Sequence, residues 1–509
     1  MTRANGRCPP LLVLALDGGD GALLQRWAAE GHLPNLAALM RRGCWGEIAG
    51  SDFIVDHGIF VSLWSGIPRT RHGYVHFRQL ERGTYNLRGV PGRDFDAPPF
   101  WTRLRGTGKR VAVIDAPETY PVAGLEGIQL CDWCVHEPRH EPSANAEWLL
   151  REARKAFGAP FALDQRPNNS VRQDNRLFRK YIDRIRRKGR LLRHLLAHGE
   201  FDLVVAGFGE THTGGHQFWD YRDKPGEEVG ALGHAIRDIY AAIDDEFGRI
   251  LEQLGGEAVN VFLFGSMGIA DSYPTNCILE AMLRKFGYLR DRPGAGGARP
   301  VDMARRLIPE SWRVALGYWM PKSAQETLIS DRFLTCTDWG GTQAYCLPAI
   351  HNSLVRINLR GREPHGIVEP GAEYETVLGR LEADLLGLVD AVDGLPVVRR
   401  VTRSRDIPEA TAAADLPDLF IDWRLLPRFI DRVLYPGGEL AITAPNWFRS
   451  SYHTDRGWYA AAGPSVAELG RSNDLSAVQL APLLLSLIEN PPGEAGPLLP
   501  AAEARGAGG

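Results

Sequence analysis

The sequence predicts an α/β fold in which helices cover a mostly parallel sheet. Three observations carry that expectation. Short apolar runs rich in Val, Leu and Ile recur along the chain: "LLVLALD" (11–17), "RVAVIDAP" (110–117), "FDLVVAGFG" (201–209) and "VNVFLFG" (259–265). None alternates apolar with polar residues, so each reads as a strand buried on both faces. Helical or Gly/Pro-rich stretches separate the runs, and alternation of strand with helix marks the α/β class.

Taken in order, the run at 11–17 leads into "LLQRWAAEG" and "LPNLAALMRRG", a pair of crossover helices. Between the second and third runs lies the basic stretch "RLFRKYIDRIRRKGRLLRHLLAH" (176–198). Such a stretch could face nucleic acid or a membrane surface. Its Leu, Ile and Tyr residues recur at helical spacing, which favours a packed helix with a solvated basic face. "ALGHAIRDIYAAIDDEFGRILEQLG" (231–255) supplies a further helix before the fourth run. A chain of 509 residues exceeds one ordinary core, so two units or one domain with an insertion are expected. The expected division is a discontinuous α/β domain of residues 8–284 and 331–490, a cap-like insertion at 285–330 marked by "RDRPGAGGARP", and a disordered tail at 491–509.

Composition excludes several classes. Net charge is −3, from 59 basic and 62 acidic residues, so no global field holds nucleic acid or an anionic membrane. A charged substrate must therefore be met locally. The apolar run near the start ends at Asp17, too short for a signal peptide's core or a membrane span, and no other segment reaches spanning length. The expectations are a cytoplasmic protein without a membrane segment or nucleic-acid-binding domain, with the oligomeric state open. Seven cysteines form no disulfide framework, and the single C-x-x-C pair, Cys131 and Cys134, reads as incidental.

In open α/β sheets ligands collect beyond the carboxyl ends of the strands. The first run ends in Asp17, the third leads into Glu210, His212 and His216, and the fourth into "GSMG". Two of these three ends are furnished for a cation. Asp17 alone reads equally well as a cap or turn residue. His212 and His216 are four apart, which aligns them on a helical face, but Gly214 and Gly215 between them leave the backbone open. His453, in "SSYHTDRGWYAAAGPS", joins them only if the fold unites the three. Asp56 and His57 precede the apolar run "GIFVSLWSG", where a buried carboxylate needs a partner or a metal. No serine-hydrolase elbow, phosphate loop or dinucleotide turn stands where those mechanisms require one.

These blocks, in this order, resemble the alkaline phosphatase superfamily, specifically its type I phosphodiesterase/nucleotide pyrophosphatase-like members. The stretches that carry the resemblance are "VLALDGGD…LPNLAALMRRG", "FVSLWSGIPRTRHGY", "RVAVIDAPETYP", "ETHTGGHQFW", "INLRGREPHGIVEPGAEYE" and "HTDRGWYAAAGPS", spanning about residues 11 to 465. The resemblance implies an alkaline-phosphatase-like fold and a two-metal site for phosphoryl or sulfuryl transfer. Asp17 matches the first-strand ligand, and His216 and His453 match two ligands of the other metal. His212 stands where that site has Asp, and Asp56 stands at the nucleophile in place of Thr or Ser. "GSMG" at 265–268 occupies the place of an Asp-His-Gly and offers neither ligand. A complete second site is therefore not expected; Asp17 and Asp56 could hold at most a weak Mg²⁺ with waters.

The implied centre is one divalent ion on His212, His216 and His453, zinc first, with iron or manganese as alternatives. Three neutral ligands leave the ion's charge uncancelled and one position open, a setting that brings a zinc-bound water to a pKa of about 7. Three readings stand. A mononuclear hydrolase uses Asp56 as general base or ligand and Glu210 as ligand or outer partner. Alternatively Asp56 attacks phosphorus as a nucleophile. In the third, hydrolysis is lost and the chain binds a ligand or runs a different metal-dependent reaction. The expected substrate is a small-molecule phosphate ester or related anion, phosphodiesters ahead of monoesters. A sulfatase lacks support, because no C/S-x-P-x-R segment is present and Cys44 sits in "GCWGE".

Overall fold

A computed structural model describes residues 8–49, 58–134, 141–159, 163, 169–273, 275–293, 336–347, 353–407, 416–444, 450–466 and 474–489. Its contacts gather into two compact units. The first comprises Met1–His72, Pro91–Ser272 and Phe448–Gly509, and the second Gly73–Val90 and Tyr273–Trp447. Described residues of the second unit carry a sheet and an apolar core of their own. Residues 294–335, most of the expected insertion, and the expected tail lie outside the described residues.

The first unit is organised by a nine-stranded sheet. Its order is Leu475–Ser476, Cys44–Ala49, Arg456–Ala462, Asn260–Gly265, Leu11–Leu16, Leu203–Phe208, Val111–Ile114, Gly127–Cys131 and Ser143–Ala144. The four apolar runs become its centre. Leu11–Leu16 pairs in parallel with both neighbours, Leu16 lying level with Phe208 on one side and Gly265 on the other. Three carboxyl ends therefore open at one height. Leu12, Leu14 and Leu16 point into one apolar cluster, and Leu11, Val13 and Ala15 into the cluster on the opposite face. Burial on both faces is why these runs lack polar alternation.

The basic stretch forms the helix Val171–Leu196, started by a capping box between Ser170 and Gln173. Leu177, Tyr181, Ile185 and Leu192 are buried, as the spacing predicted. Arg184 and Lys188, which belong to the same basic stretch, are buried as well. Cys131 and Cys134 are free and buried, and burial pushes the Cys134 thiol up to about 12 and Cys131 higher still. Neither is a thiolate at neutral pH, so the pair has no redox reactivity of the low-pKa kind.

His72, in the short helix Arg69–His72, places Nε2 3.0 Å from Ser62 Oγ, and both side chains are buried. Burial, with Arg69 adding to it, lowers the ring's pKa from 6.5 to about 3. The unfolded chain then takes up a proton that the folded chain refuses. Stability present above about pH 6.5 falls as the pH drops towards 3, by up to about 1.4 kcal/mol per unit. His72→Gln, which keeps a polar partner for Ser62, is expected to flatten this slope in urea titrations between pH 6.5 and 4.5; an identical slope in variant and wild type refutes the assignment.

The second unit contains a four-stranded antiparallel sheet in the order Ala344–Leu347, Ser353–Ile357, Leu419–Trp423, Val398–Arg403, and the helix Ala372–Leu386. Val377, Leu378, Leu381 and Leu385 from one side of that helix join its apolar core with Val355, Ile357 and Leu419. Among the described residues no helix is long and apolar enough to cross a membrane.

Candidate metal centre

The strand Leu203–Phe208 ends at Gly209, and the helix Glu210–Phe218 begins at once. That helix runs unbroken through Gly214 and Gly215. Helix-interior glycine costs roughly 1 kcal/mol each relative to alanine. Packing explains the choice: a Cβ on Gly214 would lie 2.4 Å from Ile239 Cδ1 of the helix Ala235–Leu254. With the helix continuous, His212 and His216 share a face, their ring centroids 4.9 Å apart.

The third imidazole arrives from 237 residues further along the chain. Beyond Gly265 the backbone forms a second short strand, Gly268–Asp271, and Ser451–Thr454 pairs with it antiparallel, His453 opposite Ile269. This puts the His453 ring 4.4 Å from that of His212 and 4.7 Å from that of His216. Its Nε2 lies 3.1 Å from Nε2 of His216 and 3.3 Å from Nε2 of His212. All three residues are buried, and their ligand atoms lie within 4.8 Å of one another.

The outer nitrogens decide what the inner ones can do. His453 Nδ1 is 3.1 Å from the Gly268 carbonyl oxygen, which only accepts, so the neutral ring carries its proton on Nδ1 and leaves Nε2 bare. His216 Nδ1 is 2.8 Å from Ser451 Oγ. His212 Nδ1 lies 3.2 Å from the buried Asp17 Oδ1, a close contact of opposite polarity. His453 Nε2, unprotonated in that tautomer, thus turns its lone pair towards Nε2 of His216 and of His212 at 3.1 and 3.3 Å, an arrangement that a shared cation would satisfy. A tetrahedral zinc with Zn–N of about 2.0–2.1 Å holds its nitrogens about 3.3 Å apart, and the separations of His453 Nε2 from the other two Nε2 atoms agree with that spacing. Outer partners on each ligating imidazole are also what metal sites use to fix ring orientation.

Asp17 closes the first strand, its N–H donating to the Phe208 carbonyl at 2.9 Å. Gly18 follows with φ +65°, and a Cβ there would press on His212 and His453 at 3.1–3.2 Å. That close approach is what the glycine permits. Glu210 turns away from the histidines: its Oε1 pairs with Arg184 Nε at 2.7 Å, both side chains at most 2% exposed. At the end of Asn260–Gly265, Met267 packs into an apolar cluster and Ser266 Oγ accepts from the Gly18 N–H at 3.4 Å. Asp56 and His57 lie outside the described residues.

A buried charged network beside the site escaped sequence reasoning. Asp115, at the end of Val111–Ile114, accepts from the Trp133 and Cys134 N–H groups at 2.7 and 2.8 Å, and Lys188 Nζ stands 3.5 Å from it. Lys188 and Arg184 both donate to the Cys134 carbonyl. The i,i+4 spacing of Arg184 and Lys188 was the available signal, hidden among the eight other Arg and Lys residues of the same helix. Asp20 was also missed. It caps the helix Gly21–Ala29 through the Leu23 N–H and accepts from the Ile269 N–H, tying the first strand end to the strand opposite His453.

No curated protein matches the sequence. Among solved structures, phosphonoacetate hydrolase from Sinorhizobium meliloti 1021, in complex with phosphonoformate, is similar with a TM-score of 0.51 and 13% identity, covering 95% of this chain and 97% of its own. An inactive form of murine ectonucleotide pyrophosphatase/phosphodiesterase 5 in complex with AMP aligns at 0.47 and 12% identity over 95% and 96% of the chains. The first likeness gives the alkaline-phosphatase-like fold expected from the sequence. Residues 11–426 match the family described as type I phosphodiesterase/nucleotide pyrophosphatase, most of the length over which the resemblance was seen, and the chain belongs to that family.

Proposed function

We propose that the protein is a metal-dependent hydrolase of phosphoric esters, phosphodiesters ahead of monoesters, working through a single ion on His212, His216 and His453. The observation that carries the reading is the convergence of three Nε2 atoms whose opposite nitrogens already face polar partners. Zinc suits three imidazoles best, with iron or manganese next. When bound, the ion supplies Lewis acidity towards a phosphoryl oxygen and acidifies a water. Asp17 serves as a further ligand or as the carboxylate behind His212, and its contact with His212 Nδ1 supports the second role. Asp56 is the general base, ligand or nucleophile.

A second reading has its own observation. Met267, packed among apolar side chains, and Ser266 supply nothing that would hold a second ion, so the chain could bind a ligand without hydrolysing it or run a different metal-dependent reaction. Metal analysis of protein purified without added metal, coupled to a panel of phosphate diesters and monoesters, separates the two. The expected result is about one equivalent of metal and faster turnover of diesters, with turnover lost in Asp56→Asn; metal retained in that variant makes Asp56 base or nucleophile, and metal lost makes it a ligand. Metal without turnover on any ester favours the second reading. Absence of metal sinks the three-histidine centre.

A further inference from the structure

The helix Val171–Leu196 buries one side and shows the other. Arg172, Arg176, Arg179, Arg186 and Arg190 are all exposed, with Asp183 interrupting the series. Their spacing of three and four residues keeps them in one line along the helix, about 27 Å long at 1.5 Å per residue. Lys180 widens the line. The neighbouring helix Glu147–Phe157 adds exposed Arg151, Arg154 and Lys155. It lies antiparallel to the C-terminal half of the long helix, with Trp148 against His198 at 5.3 Å, Glu152 against His194 at 3.0 Å, and Arg187 donating to the Phe157 carbonyl. Arg186 and Arg190 therefore border the second helix directly.

The exposed residues of these two helices include nine cations and two carboxylates, Glu147 and Asp183, in a chain of net charge −3. Glu147 is paired with Arg151. Among the described residues no carboxylate lies within ion-pair distance of the five stripe arginines. Like charges set side by side repel, and a sequence seeking only solubility mixes signs. Part of this cationic excess is therefore unexplained by folding, since the cations of the long helix that folding uses, Arg184, Arg187, Lys188 and Arg193, are bonded within the fold and are not among the nine.

We propose that this two-helix face docks the protein electrostatically on an anionic phospholipid surface. Clusters of four to eight basic residues suffice for such attraction, which acts within about a Debye length. Seven of the nine cations are arginines, whose planar fork pairs with phosphate in a bidentate manner. Trp148, 38% exposed at the edge of the face, is the residue type that settles at a headgroup layer. Nucleic acid fits less well. The long helix is buried along its opposite side and flanked by a second helix, so it offers a broad face rather than a ridge able to enter a groove. The proposal is independent of the metal centre.

Co-sedimentation of the full chain with phosphatidylcholine vesicles, with and without phosphatidylglycerol, tests it. Binding is expected only where phosphatidylglycerol is present, and is expected to vanish at about 1 M salt, where the Debye length is about 3 Å. The variant Arg176→Glu/Arg179→Glu/Arg186→Glu/Arg190→Glu should lose at least about a hundredfold in vesicle affinity while keeping the wild-type melting temperature and metal content. If that variant fails to fold, the corresponding glutamine variant and the wild-type salt dependence give the same decision. No wild-type binding at low salt, equal binding to neutral vesicles, or capture of a DNA duplex with no capture of phosphatidylglycerol vesicles overturns the proposal.

Discussion

His453→Ala is expected to abolish binding of the ion proposed for the three-histidine centre. The residue places its Nε2 3.1 Å from that of His216 and 3.3 Å from that of His212, and nothing else in its strand offers a ligand to replace it: Ser451 already faces His216 Nδ1, and Tyr452 and Thr454 alternate to the other side of the strand. Removing an outer partner of a ligating histidine costs about 10–100-fold in metal affinity, so removing the ligand itself should cost more than about a hundredfold. Ser451→Ala tests the lesser effect and should fall within that range. Competition titration with a chelator against zinc reads both. Folding is a separate matter, because the pairing of Ser451–Thr454 with Gly268–Asp271 uses backbone groups that the substitution leaves alone. Unchanged zinc affinity in a folded His453→Ala protein refutes the centre.

Arg184→Met is expected to destabilise the first unit by about 3–5 kcal/mol, because it leaves the fully buried Glu210 carboxylate without its counter-charge. The loss of a donor to the Cys134 carbonyl adds to it. Arg184→Met/Glu210→Gln should recover most of the loss, since an isolated buried charge is far costlier than a neutral amide. Urea denaturation of the three proteins measures this. A single-variant loss below about 1 kcal/mol would mean that the pair is not desolvated as the structure shows. Glu210 opens the helix that carries His212 and His216, so a loosened pair should also weaken metal binding, though less than loss of a ligand.

The centre of the sheet was readable from the chain because doubly buried strands have no polar alternation to hide them. The candidate histidines were readable in part. Their position after a strand end follows from the general placement of ligands in α/β sheets. His453 could be joined to them only through the family resemblance, since it arrives on a short antiparallel strand whose pairing partner, Gly268–Asp271, has no strong sequence signal. The course of the helix through Gly214 and Gly215 was undecidable locally, because the side chains that crowd them come from elsewhere: Ile239, on another helix, faces Gly214, and Ile269, on the strand opposite His453, faces Gly215. Arg184 and Lys188 were indistinguishable from their solvated neighbours until Glu210 and Asp115 were placed opposite them. The extent of the second unit rests on packing between distant segments, Gly73–Val90 with Tyr273–Trp447, which no local pattern records.

Arg456–Ala462 lies between Asn260–Gly265 and Cys44–Ala49, antiparallel to both. During synthesis two strands that emerge early must wait, edges unpaired, for one that emerges more than 190 residues after the later of them. Contacts of such long sequence separation form slowly, and open edges are where a nascent chain pairs wrongly. The same late segment delivers His453. Closure of the sheet and completion of the histidine cluster are thus one event in the life of the chain, and an ion captured there would report that the last central strand has found its place.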